Sequence, residues 1–77
     1  MWSEGIVACP VTSGKYKYWV KHYEAGSPFG IDGGKVSKLT IRKLGEARDL
    51  CSYDRGWDTL PDGEVEAVYA IILRKYN

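Results

Sequence analysis

The sequence has 77 residues, with 11 basic side chains, 10 acidic side chains and a formal net charge of +1 at pH 7. This length predicts one domain, residues 1–77. The interspersed charges argue against duplex nucleic acid as a partner, because binding to it requires clustered cations. No apolar run is long enough to span a bilayer, and the first ten residues lack the features of a secretory signal. We therefore expect a cytoplasmic protein without a membrane partner.

The first half of the chain predicts two strands joined by a tight turn. Residues 2–9 suit a short strand, and the following PVTSG segment has the proline and glycine that favour a reversal. Residues 15–24 alternate strictly between two faces, one with Tyr16, Tyr18, Val20 and His22, the other with Lys15, Lys17, Trp19, Lys21 and Tyr23. Because the second face contains three lysines, we expect the first face to point toward the core.

Two more strands are predicted in the second half. Residues 35–45 alternate again, with Ser37, Leu39 and Ile41 on one face and Lys38, Thr40 and Arg42 on the other. Residues 45–46 suit a tight turn, and residues 47–54 suit a fourth strand that completes a second hairpin.

The C-terminal segment, residues 62–77, predicts an amphipathic helix. Its apolar residues follow the i, i+3, i+4, i+7 spacing of one helical face. Asp62 is the expected N-cap, with acidic residues in the first turn and Arg74 and Lys75 in the last turn. The elements together predict an α+β fold, in which a four-stranded antiparallel sheet of two hairpins packs on one C-terminal helix.

The segment GSPFGIDGGKVSK, residues 26–38, contains four glycines and two lysines. It does not match a phosphate-binding P-loop, because Val36 follows Lys35 and a strand rather than a helix comes next. One interpretation is an ordinary strand connection. The other is a functional loop in which the backbone N–H groups of Gly33 and Gly34 bind an anion.

The segment YDRGWD, residues 53–58, combines groups that suit a nucleotide-like ligand. Arg55 has the geometry for a phosphate, Trp57 offers a stacking surface, and Asp54 and Asp58 can accept hydrogen bonds from ribose. The alternative is structural, with Arg55 in an internal ion pair and Trp57 in the core. Tyr53, which begins the segment, is included among the candidate ligand-binding residues.

The lysine-bearing face of residues 15–24 is a third candidate surface. Lysines interleaved with Trp19 and Tyr23 resemble the stacking platforms of proteins that bind single-stranded nucleic acids. The alternative is a solvated face with partly buried rings. No motif predicts an enzyme, a cofactor or a metal site, and Cys9 and Cys51 are expected to be reduced and to fill the core.

The chain resembles a family of small uncharacterised proteins from bacteriophages and related bacterial genomes. The residues that support this resemblance are KHYEAGSPFGIDGGKVSKL at 21–39, YDRGWD at 53–58 and the final AIILRKYN. The resemblance implies a phage context, in which small proteins often act as counter-defence factors. Some sequester nucleotide immune signals, and others block a host nuclease or effector such as a CRISPR protein.

We therefore expect a non-catalytic, sponge-type protein that binds a nucleotide-derived signal, as a homo-oligomer in the host cytoplasm. Arg55 holds a phosphate, helped by Lys35 or Lys38 and the amides of Gly33 and Gly34, while Trp57 or Phe29 stacks on a base. The alternatives are an inhibitor that binds a host defence protein through the aromatic sheet face, and a self-associating structural accessory.

Overall fold

The computed structural model describes residues 1–77. It contains one antiparallel sheet in which every strand pairs with its neighbours in sequence. The elements are β1 (Trp2–Ala8), β2 (Lys15–His22), β3 (Val36–Lys43), β4 (Asp49–Asp54), β5 (Trp57–Thr59) and the helix α1 (Glu64–Tyr76). The predicted α+β class, with one C-terminal helix on an antiparallel sheet, is confirmed. At 13 residues, α1 is too short to cross a membrane.

The sheet has five strands rather than the predicted four. The additional strand, β5, has three residues and pairs Trp57 with Tyr53 and Thr59 with Ser52. All three residues of β5 are exposed, so the strand has no buried side to produce an alternating pattern. The pattern of hydrophobic residues therefore does not predict an edge strand this short.

The core lies between α1 and one face of the sheet. From the helix, Val65, Val68 and Ile72 are buried, as the spacing of the apolar residues predicts. The buried sheet residues alternate along their strands and include Tyr16, Tyr18, Val20, Leu39, Ile41, Cys51 and Tyr53. Full burial of an aliphatic or aromatic side chain contributes about 1.5–3 kcal/mol, so this layer holds the helix on the sheet. Cys9 and Cys51 are both free and buried.

The start of α1 differs from the prediction. Gly63, not Asp62, occupies the N-cap position, with φ of 58°, and no side chain caps the helix. Asp62 Oδ1 instead accepts a hydrogen bond of 2.9 Å from the Gly63 N–H. The positive φ of Gly63, which favours glycine, turns the chain before the helix begins, and the Asp62 carboxylate bonds the adjacent amide. Acids in the first turn and bases in the last turn are present as predicted.

Several contacts with distant residues anchor the glycine-rich connection between β2 and β3. Ile31, in a single turn of 3-10 helix, is buried in the core. The Tyr53 hydroxyl donates to the Phe29 carbonyl at 2.8 Å. Asn77, after α1, accepts from the Val36 N–H at 3.0 Å and donates to the Ile31 carbonyl at 3.2 Å. The connection is therefore an ordered loop, bound to β4 and to the end of the helix.

Candidate anion-binding pocket

A pocket of about 400 Å³ lies where the glycine-rich loop meets the ends of β2, β3 and β4. Three cationic side chains line it, those of Lys21, Lys38 and Arg55. Two aromatic rings, from Tyr23 and Phe29, complete it together with small residues of the loop. We call this the cationic pocket. Its volume falls within the usual range of small-molecule sites, about 300–1,000 Å³.

The sheet register brings two of the cations together. Lys21 on β2 lies directly opposite Lys38 on β3. Like charges at opposed positions of an antiparallel pair destabilise the sheet. Asp54 on β4 lies opposite Lys38 on its other side and offsets part of this repulsion, with a Lys38 Nζ to Asp54 Oδ1 distance of 3.6 Å. Lys21 has no carboxylate within ion-pair distance, so its charge is available to a ligand.

Arg55 reaches the pocket from the turn between β4 and β5. Its backbone has φ of 57°, the left-handed region, and its N–H donates to the Ser37 carbonyl at 2.9 Å. The Arg55 side chain is 65% exposed, and its Nε lies 3.7 Å from Asp54 Oδ1. Because both side chains are more than half exposed, this is a surface contact rather than an internal ion pair. Exposed ion pairs of this kind contribute little to stability.

The two rings of the pocket are open to solvent. Phe29 has 60% of its surface exposed, although the loop that contains it is anchored to β4. Tyr23 is also exposed, and the Lys21 ammonium lies 5.6 Å from its ring centroid, within cation–π range. The pocket thus combines flat stacking surfaces with cations, the two kinds of group that recognise a base and a phosphate.

Other residues expected in the site lie elsewhere. The amides of Gly33 and Gly34 already donate to the carbonyls of Gly30 and Ile31, at 3.0 and 2.8 Å, so they do not form an anion nest. The Lys35 side chain is exposed but does not line the pocket.

Trp57 and Tyr53 belong to the packing between sheet and helix. The Trp57 ring makes edge contacts with Tyr53 at 5.0 Å and with Tyr69 on α1 at 5.6 Å. Trp57 is 39% exposed, so it is neither fully enclosed nor beside the pocket. Tyr53 is buried and acts on the site through its bond to Phe29. Asp54 borders the pocket through its ion pairs with two of the cations, and exposed Asp58 does not line it.

Two residues of the pocket, Lys21 and Tyr23, were expected on the open sheet face but not in the ligand site. A signal for their position exists in the sequence. Both lie near the end of the alternating run of residues 15–24, and a hairpin register would place them opposite the residues that precede Leu39. The loop between β2 and β3 also lines the pocket, and no pattern in the sequence predicts that it folds back toward Lys21 and Tyr23.

The fold and pocket define a small five-stranded meander covered by one helix, with cations and exposed rings at one end of the sheet. The chain belongs to the family described as a domain of unknown function, DUF7678, which matches residues 1–77. No curated protein and no solved structure matches the chain.

Proposed function

We propose that this protein is a non-catalytic phage counter-defence factor that binds and sequesters a nucleotide-derived immune signal in the host cytoplasm. The observation that carries the proposal is the cationic pocket, in which three cations and two exposed rings surround about 400 Å³. A phosphate is bound by Lys21, Lys38 and Arg55, and a base stacks on Phe29 or Tyr23. The phage context rests on the sequence resemblance alone.

The charges of the pocket support an anionic ligand. Lys21 and Lys38 are opposed in the sheet, and a bound phosphate reduces the repulsion that Asp54 leaves between them. Arg55 adds a planar donor that suits bidentate contact with phosphate oxygens. Asp54 offsets part of the charge of Lys38 and Arg55, so the cation without a carboxylate partner is Lys21.

The lining of the pocket supports binding without chemistry. It has no imidazole or thiol, and the carboxylate at the border of the pocket, Asp54, lies within ion-pair distance of Lys38 and Arg55. A sponge requires only affinity, so the ligand should leave the protein unchanged. We also propose that the protein self-associates into a homo-oligomer through the exposed edge of β1.

Isothermal titration calorimetry with cyclic dinucleotides and cyclic ADP-ribose isomers tests the proposal. We expect one of these ligands to bind, and we expect Lys38→Ala and Arg55→Ala each to weaken binding about tenfold or more, because charge-assisted hydrogen bonds contribute about 1.5–3 kcal/mol. Lys35→Ala is the matched control, since it removes a nearby exposed lysine outside the pocket. Chromatography of the recovered ligand should show it intact.

Two outcomes would contradict the proposal. One is the absence of binding to every compound in this set. The other is binding that Lys35→Ala weakens as much as Arg55→Ala, because the ligand would then respond to general charge rather than to the pocket. A chemically altered ligand would show that the protein is an enzyme.

A further inference from the structure

A second surface lies on the sheet face opposite α1, which we call the open face. Trp2 on β1 has 58% of its surface exposed, and Trp19 on β2 is half-buried. Two shallow depressions, of about 270 and 290 Å³, are each lined by both indole rings. The two neighbouring indoles form an exposed aromatic patch, and such patches are typical of interaction surfaces.

Cations alternate with the rings across this face. The Arg42 guanidinium lies 5.2 Å from the Trp19 ring centroid, and the Lys17 ammonium lies 5.7 Å from it. The Lys21 ammonium lies 6.0 Å from the Trp2 ring centroid and 5.6 Å from that of Tyr23. Lys21 therefore joins the open face to the cationic pocket, and the two form one continuous track.

The charge of the open face is positive, although the whole molecule is almost neutral. The strand alternation and register place on this face the cations Lys15, Lys17, Lys21, Lys38 and Arg42 and the carboxylates Glu4, Asp49 and Asp54. The cations thus outnumber the carboxylates. Arg42 Nε donates to Asp49 Oδ1 at 2.6 Å, and Lys17 Nζ lies 3.5 Å from Glu4 Oε2. Both pairs are partly exposed, so a polyanion competes with these carboxylates for the cations.

We propose that the open face binds a single-stranded nucleic acid. Unpaired bases stack on Trp2 and Trp19, and phosphates of the same strand contact Arg42 and Lys21. Stacking requires an exposed base face, so the ligand is single-stranded rather than duplex. A protein partner is less suited to this face, because lysines are depleted at the centres of protein interfaces.

Binding of a single strand by the open face extends the proposed function but depends on Trp2, Trp19 and Arg42, side chains that the pocket does not use. Lys21 and Lys38, by contrast, belong to both surfaces. A mononucleotide or a cyclic dinucleotide is bound by the pocket alone, whereas an oligonucleotide follows the track from the pocket onto the open face. The two proposals can therefore fail separately.

Fluorescence anisotropy with labelled oligothymidylates of increasing length, and with oligouridylates, tests this inference. We expect affinity to rise with the length of the oligonucleotide. We also expect a plot of the logarithm of the affinity against the logarithm of the salt concentration to have a slope of about −0.7 for each phosphate contact. Trp19→Ala should weaken binding about tenfold or more, because stacking on one ring contributes about that much. Trp19→Phe should restore most of the affinity, since it keeps a stacking surface.

Arg42→Ala and Arg74→Ala form a matched pair, because Arg74 is an exposed arginine on the helix. Only Arg42→Ala should weaken binding to oligonucleotides, and thermal unfolding should show that both variants fold. Equal affinity for mononucleotides and long oligonucleotides would overturn the inference and leave the cationic pocket intact. Equal losses from the two arginine variants, or a host protein captured through Trp19 without any oligonucleotide binding, would also overturn it.

Discussion

Arg55 occupies a backbone conformation that favours glycine. Its φ of 57° costs a non-glycine residue about 1–2 kcal/mol relative to glycine, and Gly56 is the next residue in the chain. The strain is explained if the guanidinium is needed in the cationic pocket. We expect Arg55→Gly to be more stable than Arg55→Ala by about 1 kcal/mol, because both lack the side chain but only glycine relieves the strain.

Urea denaturation of the two variants measures this difference, and calorimetry measures their ligand binding. Both should bind the proposed ligand equally weakly. Equal stability of the two variants would show that no strain is stored at position 55. Retained binding in either one would show that the guanidinium does not contribute.

The sequence did not predict that the side chains of Arg55 and Trp57 lie on different surfaces of the protein. Residues two apart share a face only when both belong to a regular strand. Arg55 lies in the turn, outside β5, and its left-handed conformation sends the two side chains to different surfaces. The chemistry of Arg55, Lys38 and Phe29 was readable from the sequence, but this change of direction was not.

The glycine-rich loop depends on close backbone contact at Gly30. A Cβ atom at Gly30 would collide with the Gly34 carbonyl oxygen, whereas one at Gly56 would meet no atom within 4 Å. We expect Gly30→Ala to lower the free energy of unfolding by about 1–3 kcal/mol, because the backbone must move to relieve the overlap.

Gly56→Ala is the control for this substitution and should change stability by less than about 0.5 kcal/mol. Denaturant unfolding compares the two. Gly30→Ala should also weaken ligand binding, since Phe29 precedes the altered residue. Equal stability of the two variants would mean that the loop backbone shifts to accommodate the methyl group without lowering the free energy of unfolding.

The link between the β1–β2 turn and the start of α1 predicts a pH dependence. The Thr12 hydroxyl donates to Glu64 Oε2, and this bond, followed by one from Tyr16, lowers the pKa of the Glu64 carboxyl below its ordinary value of 4.5. Because folding lowers the pKa of Glu64, the ionised carboxylate stabilises the folded protein. This stabilisation is fully present at pH values above the pKa of the unfolded state, and it is lost as the pH falls through the pKa of the folded state. We expect Thr12→Val to be less stable than wild type at neutral pH, with a gap that closes below 4.5.

Thermal unfolding across the acidic range follows this gap, with Thr59→Val as the control for an exposed threonine that makes no side-chain hydrogen bond in the structure. A gap that stays constant with pH would show that Thr12 stabilises the protein without interacting with the ionised carboxylate.

At the scale of elements, the alternating strands and the helix were predictable because one side of each is buried. The anchors of the loop were not, since Tyr53 and Asn77 lie 24 and 46 residues from the loop groups with which they bond. Side-chain bonds over such distances leave no periodic pattern. The pocket depends on these anchors, so its position required the structure.

At the scale of the whole molecule, the two edges of the sheet differ. The β5 edge has three residues, whereas the β1 edge has seven. Met1 and His22 exchange hydrogen bonds, so the alternation of an antiparallel pair leaves the N–H and C=O groups of Trp2, Glu4, Ile6 and Ala8 pointing away from β2. The only charge on β1 is Glu4, and the strand contains no proline. An edge with so few protective features is suited to pairing with a second copy.

A two-fold antiparallel pair of β1 strands uses all of these free groups when Gly5 lies on the axis. Trp2 then pairs with Ala8 of the second copy, and Glu4 pairs with Ile6. Shifting the register by two residues can place Glu4 opposite Glu4, which is unfavourable. We expect a dimer by size-exclusion chromatography with light scattering.

The sign of a charge introduced at position 6 tests both the interface and its register. Ile6→Glu places two carboxylate pairs across the interface, so this variant should be monomeric. Ile6→Lys places a lysine opposite each Glu4, so this variant should remain dimeric, although both substitutions put a charge on the same exposed position. Dissociation by both variants would show that Ile6 contributes through apolar contact in another register. A monomeric wild-type protein at high concentration would exclude the edge as an interface.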